Sequence, residues 1–460
     1  MTANGKSGIA GAMRRAAGRA ARRAGLRSPA PQPRSNGRIA FVGPMPPART
    51  GIATYDRAVL DGLGRIGFLE RHPVDVLWPV RREHHEAIGR YDLGIYQLGN
   101  NVQHHRDVYR LAWSAPGIVV LHDLALDDFI TGLQSIGDPL GFRALGEAAG
   151  MRQRVAGDPD AAANEPLRVP WAAAAVRAAR GVVVHAEFGR RYLEELGCRT
   201  PVFVIPHPVV ESPEALARAR ERARDLRARL AARGVDRLVV APGDVNATKQ
   251  HGAILAAVGE LPEDVHLAIV GRRGAGYDVG RLVDRLGLRA RVTVGLDVPD
   301  EDFLAWIAAA DVVVDLRHPH RGEVSGSLAR AMQAGRPTIV SGTGTYLDVP
   351  EDAVVRVAAG RVDPDELRSA LSSLLDDEGR RRRVGAAASA EVRRLADTDA
   401  TAHGYERAIM ATRELLRDPT RAIMYRWARA LAEVGVDEPL LEEGYGMSYA
   451  RALMSFTSRP

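Results

Sequence analysis

The chain has 460 residues, 46% of them hydrophobic and 26% charged, with a formal net charge of +6 and a single cysteine, Cys198. That length exceeds what one hydrophobic core usually serves, so two domains with terminal extensions are expected. No apolar run reaches the roughly 18 residues of a membrane span, one cysteine excludes an intramolecular disulfide, and with no secretory leader a reducing cytoplasm is the expected location.

The basic excess sits at the N-terminus. Residues 1–37 carry Lys6, Arg14, Arg15, Arg19, Arg22, Arg23, Arg27 and Arg34 and no acid, which leaves 55 basic against 57 acidic residues elsewhere. A body so balanced is not a polyanion-binding surface, so nucleic acid is not an expected partner. The tail reads as a solvated, disordered arm. Its stretch AMRRAAGRAARRAGL is weakly amphipathic, which would allow peripheral contact with anionic lipid at the inner membrane face.

From residue 38 onward, strand-like and helix-like segments alternate. RIAFVG (38–43), VDVLW (74–78), LGIYQL (93–98), GIVVLHD (117–123), GVVVHA (181–186) and VFVIP (202–206) are short β-branched runs bounded by glycine, proline or polar residues. Such runs suit buried parallel strands, and the alanine- and arginine-rich stretches between them suit helices, giving a doubly wound α/β domain over 38–210. Ser212 and Pro213 then open a helix over 214–233. A second series follows in RLVVAPG (237–243), HLAIVG (266–271), RVTVG (291–295), DVVVDL (311–316), PTIVSG (337–342) and AVVRV (353–357), a second such domain over 211–400. The remainder, 401–460, is helical in pattern and holds Tyr405, Tyr425, Trp427, Tyr445 and Tyr449, aromatic enough to pack back on the body.

In open parallel sheets, ligands bind beyond the carboxyl ends of strands, so polar residues there are the candidates. The segment after strand 311–316 carries Arg317, Arg321, Glu323 and Val324, and then Ser325, Gly326 and Ser327 at the start of a helix. Free N–H groups and the positive dipole end of such a helix suit a diphosphate, and Glu323 suits sugar or ribose hydroxyls. Lys249, Arg272 and Arg273 follow other strands of that domain and suit phosphate. In the first domain, Gly43, Thr50 and Gly51 lie in the loop after the first strand, Asn100, Asn101, His104 and His105 after the third, and His122 and Asp123 end the fourth. His122 is a candidate for positioning a reacting hydroxyl and equally a candidate for a hydrogen-bonded structural role. The glycines after the first strand lack dinucleotide-fingerprint spacing, and neither a nucleophile elbow nor a Walker loop is present, which disfavours dehydrogenase, hydrolase and NTPase chemistry. No closed zinc set is visible, and no resident cofactor is expected.

Taken together, FVGPMPPARTGIATY, YQLGNNVQHH, PGIVVLHDLAL, GDVNATKQ, AIVG and ADVVVDLRHPHRGEVSGSLARAMQAGRPTIVS resemble the retaining glycosyltransferases of the GT-B fold, the large family four group of mannosyl- and glucosyltransferases. The resemblance spans roughly residues 38–400. It implies two Rossmann-like domains facing a cleft, with the donor nucleotide sugar on the second and a glycan, lipid-linked or other polar acceptor on the first. By position it implies that Lys249 meets the diphosphate, Glu323 the sugar or ribose, and Ser325 to Ser327 the phosphates through backbone N–H groups. His122 falls near the reacting centre, and Gly51 and its neighbours border acceptor and phosphate. Retention without a protein nucleophile and without metal is the implied chemistry. Two positions depart from the pattern: Arg330 stands directly before Ala-Met, where the family carries a second glutamate, and Asp244 stands where an arginine is common. These departures favour the alternative of a non-catalytic scaffold or regulator in polysaccharide assembly that binds a nucleotide sugar.

Overall fold

The structure, a computed structural model, describes residues 37–417 apart from 49, 153–165, 209–210, 275 and 396. The expectations for the basic tail before residue 37 and for Tyr425, Trp427, Tyr445 and Tyr449 lie outside the described residues. The first lobe is built on strands β1 (Ile39–Val42), β2 (Val74–Val76), β3 (Leu93–Leu98), β4 (Ile118–Leu121), β5 (Gly181–Val184) and β6 (Val202–Val204), parallel in the order β2-β1-β3-β4-β5-β6. Strands β1, β3, β4 and β5 are buried along their whole length, which is why they read as continuous apolar runs and not as alternating ones. Helices α1 (Gly51–Arg65), α2 (Val102–Ser114) and α3 (Asp127–Ser135) follow β1, β3 and β4. The side chain of Thr50 caps α1 by accepting from Ala53 N at 3.0 Å, and that of Asn101 caps α2 through Gln103 N at 2.9 Å.

Helix α4 (Pro213–Ala231), capped by Ser212, leads into the second lobe. Its strands are β7 (Arg237–Pro242), β8 (Val265–Gly271), β9 (Val292–Leu296), β10 (Val312–Asp315), β11 (Thr338–Ser341) and β12 (Val355–Val357), in the order β12-β11-β10-β7-β8-β9 and again all parallel. Helix α5 (Asp300–Ala309) packs with α4 against this sheet, and α6 (Gly326–Gln333) follows β10. The twelve strands expected from sequence are all present, with ends that differ by one or two residues where polar groups such as His122 and Asp123 leave the ladder for the loops. The fold is the two-lobed α/β architecture of two doubly wound sheets.

Helix α7 (Thr398–Arg417) starts just before the division at residue 400 and returns to the first lobe. Ala402, Tyr405, Ala408 and Ile409 join Ile39, Phe41, Tyr55 and Val59 in one buried cluster, and the Tyr405 and Tyr55 hydroxyls lie 2.7 Å apart. Arg413 adds a bond to Asp92 at 2.6 Å. Among the described residues, no helix is long and apolar enough to cross a membrane.

Strand order dictates where ligands fit. The connection direction reverses between β1 and β3 in one sheet and between β7 and β10 in the other, and the crevice beyond the strand ends at such a switch point is the natural site. The described segments there are 43–48 and 99–101 in the first lobe and 243–249 and 316–325 in the second.

Candidate active site

Asp315 ends β10 as a fully buried carboxylate. Lys249 Nζ pairs with it, Ser325 Oγ donates to it, and the Tyr346 hydroxyl donates at 3.0 Å. Burial pushes the Asp315 carboxyl up, but the Lys249 and Arg317 cations outweigh burial and hold it below the usual carboxylate range. Ser325 therefore works twice, because its Oγ also accepts from Leu328 N at 3.2 Å and caps α6. Helix geometry leaves the N–H groups of Gly326 and Ser327 without intrahelical partners. Gly243, with φ +120°, lets Lys249 and Ser327 converge: a Cβ there would stand 3.0 Å from Lys249 Nζ and 2.8 Å from Ser327 Oγ.

Six residues downstream of Arg317, Glu323 turns back to pair with its guanidinium and accepts from Arg321 N at 2.8 Å. Thr345 Oγ1 holds the Glu323 carbonyl at 2.7 Å, and Arg317 N donates to Ser341 Oγ at 2.9 Å. Burial would raise the Glu323 carboxyl, yet Arg317 and then His320 prevail and hold it at about 2. Val324, partly buried, joins this loop to α6.

The loop also touches the opposite lobe. Arg321 Nε donates to Asp127 at 2.9 Å, and the Arg321 carbonyl accepts from both Leu124 N and Ala125 N at 2.9 Å. Gly322, at φ +82°, leaves room for the Leu124 side chain, which a Cβ would strike at 2.5 Å. Asp127 in turn accepts from Asn100 Nδ2 at 2.9 Å, Asn100 Oδ1 accepts from Phe129 N, and Asn100 N donates to Asp123 Oδ2 at 2.9 Å. Burial, and then the negative charge of Glu323 opposite, push the Asp123 carboxyl up to about 7. Two carboxyl groups thus face each other with opposite tendencies, one held ionised and the other pushed toward its protonated form.

The remaining expected residues divide. His122, 8% exposed, has both ring nitrogens against protein groups: Nε2 lies 2.9 Å from Gln97 Oε1 and Nδ1 lies 3.2 Å from His185 Nε2. His105 turns inward, with Nδ1 3.0 Å from the Gln97 carbonyl. Gly43 closes on the Asp56 carboxyl and the Gln97 side chain. Thr50, Gly51 and Asn101 act as helix-end residues and join none of these networks. Arg272 pairs with Asp244 and Arg273 with Asp297 on the surface. Arg330 pairs with Glu211 at 2.7 Å and borders the Gly326 carbonyl at 3.3 Å. Reading from sequence missed Asp315, Gln97, His185, Tyr346 and Asp127. A signal existed for two of them: Asp315 and Gln97 are the polar residues inside otherwise apolar strands.

Burial lowers the pKa of His105 and His185 to about 4 and that of His122 well below its ordinary value, so all three are neutral in the fold. An unfolded chain takes up protons at these rings below about pH 6.5, so the stability they contribute is complete above that value and is lost as pH falls toward about 4. The buried Asp56 and partly buried Asp123 carboxyls oppose this, but burial lowers His207, His251 and His266 as well, so six depressed histidines stand against these two raised carboxyls. The urea midpoint should fall between pH 7 and pH 5, with up to about 2 kcal/mol lost per buried histidine at pH 5. An unchanged midpoint over that interval would contradict neutral burial.

Comparison with known proteins bears on the fold. Residues 223–391 match the family described as Glycosyl transferases group 1. A stretch of 170 residues is 33% identical to D-inositol 3-phosphate glycosyltransferase of Xylanimonas cellulosilytica and covers 36% of this chain and 40% of that relative. The chain thus spans about 40% of the length of the curated relative it matches. Among solved structures, Anabaena HepE in complex with UDP and glucose superposes with a TM-score of 0.55 at 16% identity, over 82% of this chain and 100% of that one. Sucrose-phosphate synthase of Thermosynechococcus elongatus superposes with a TM-score of 0.56 at 18% identity, over 81% of this chain and 98% of that one. At such identities the likeness is one of fold, the GT-B arrangement of two facing α/β lobes.

Proposed function

We propose that the protein is a glycosyltransferase that moves a hexose from a nucleotide diphosphate sugar to a glycan, lipid-linked or other polar acceptor with retention of configuration and without metal. The observation that carries this reading is the meeting of the two switch-point crevices: Glu323 and the start of α6 from one lobe face Asp123 from the other. In this reading the Gly326 and Ser327 amides hold the diphosphate, and Lys249 and Arg317, each paired with a carboxylate, act at a distance by keeping the helix start and Glu323 in place as the glycosyl bond breaks. Glu323, a fixed anion, accepts hydrogen bonds from donor hydroxyls. Catalysis then rests on orientation and charge stabilisation, with the leaving phosphate taking the proton of the attacking hydroxyl. The complexes of HepE make UDP-glucose the first donor to try.

Incubating the full chain with UDP-, GDP- and ADP-sugars, with and without chelator, tests the proposal. The expected result is transfer or slow hydrolysis of one donor, unaffected by chelator, giving an α-anomer from an α-donor. Donor binding without turnover across the panel would favour the scaffold alternative, which the replacement of a glutamate by Arg330 and its pairing with Glu211 support.

A further inference from the structure

Gln97 points from β3 into the interior beneath the proposed site and is fully buried. Its side chain meets His122, which meets His185, whose Nδ1 lies 3.0 Å from the Ile205 carbonyl. A carbonyl only accepts, so His185 carries its proton on Nδ1, and its Nε2, when the ring is neutral, is a bare acceptor. His122 must therefore donate to it from Nδ1. That leaves Nε2 of His122 facing Gln97 with two alternatives. A cationic ring would donate to the amide oxygen, whereas a neutral ring would accept from the amide nitrogen.

The surroundings choose between them. The groups around the ring are Tyr55 from α1, His105 from α2, His185 and His207; Asp56 from α1 meets Gln97 at Gly43, and Tyr405 from α7 lies behind Tyr55 and interacts with the Gln97 side chain. The one carboxyl in this set, Asp56, hydrogen-bonds to nothing among the described residues, and burial keeps it protonated. A cation at His122 would be buried without an anionic partner, whereas turning the amide exchanges two groups of equal shape. The turn also helps the other end of the amide, because with Oε1 toward the ring the buried Gln97 Nε2 makes no hydrogen bond of normal geometry, its neighbour there being the Tyr405 hydroxyl, which can donate as well as accept.

We propose that Gln97 is a positioning residue: its amide donates from Nε2 to Nε2 of His122, fixes that ring as the neutral Nδ1–H tautomer, and so anchors the end of β4 that carries Asp123. The hydrogen bonds then run in one direction, from Gln97 to His122 to His185 to the Ile205 carbonyl. Both nitrogens of His122 are used inside the protein, so the ring does not exchange a proton with a substrate. It steadies the segment from which Asp123 faces Glu323 and from which Leu124 N and Ala125 N reach Arg321. That consequence for the reaction rests on the transferase reading, but the tautomer does not.

Long-range proton–nitrogen spectra of the full chain labelled with nitrogen-15 histidine test the proposal, with the His122 signals identified by their loss in His122→Asn. The expected wild-type result at pH 7 is a proton on Nδ1 alone. In Gln97→Met the tautomer should persist while Nε2 moves toward the shift of an unbonded imidazole nitrogen, a change that packing alone would not produce. A proton on Nε2 in the wild type, alone or together with one on Nδ1, overturns the proposal, as does an Nε2 shift unmoved in Gln97→Met. Should the Met variant not fold, the wild-type spectrum still decides the tautomer. No donor enters the measurement, so failure of the transferase assay and failure of this inference are separately visible.

Discussion

Glu323→Gln is expected to lower donor turnover by about 100-fold or more while the chain stays folded. Glutamine keeps the shape of the side chain and an acceptor for Arg321 N, but it removes the anion that pairs with Arg317. An interaction aimed at charge that develops in the reaction is worth roughly this much when one group is lost. The fold should pay no more than about 1–3 kcal/mol, the cost of one buried group losing a strong partner. A control lies in the pH profile. Glu323 is held at about 2, so it stays ionised through the accessible range and is expected to shape no limb of the profile, whereas Asp123, pushed up to about 7, is expected to shape one. Steady-state rates of the variant equal to those of the parent would remove Glu323 from the site.

Lys249→Ala is expected to act mainly on stability. The residue was expected from sequence to be a phosphate cation, yet it is almost fully buried and paired with Asp315. Removing one member of a buried pair strands the other, at a cost of about 3–5 kcal/mol. The Ser325 and Tyr346 hydroxyls remain as donors to Asp315, so the lower end of that range is the better expectation. Replacing both partners, Lys249→Met with Asp315→Leu, should destabilise by less than the two single changes together. Urea unfolding of the four proteins gives the cycle. A Lys249→Ala midpoint matching the parent would mean that the pair contributes nothing. Because Asp315 also fixes Ser325 at the helix start, loss of donor affinity should accompany the loss of stability.

The sequence alone went far with the architecture. Twelve apolar runs became twelve strands; the inner strands of each sheet are buried on both faces and must be apolar throughout, and such a run is visible without any structure. It also picked out residues that the fold gathers at the facing strand ends, because residues at strand ends in a doubly wound sheet fall at that edge whatever the loop details. Glu323, Asp123, Ser325 and Asn100 all stand there.

The partnerships belong to tertiary structure. Spacing could not reveal that Lys249 is spent on Asp315, that Arg321 crosses to Asp127, that His122 is enclosed by Gln97 and His185, or that Tyr405 returns to the first lobe to meet Tyr55. These pairs lie from 25 to 350 residues apart in the chain. Apolar burial depends on local pattern, so the strands were legible in single segments. A hydrogen bond or ion pair depends on where two distant segments come to rest, and only the folded chain decides that.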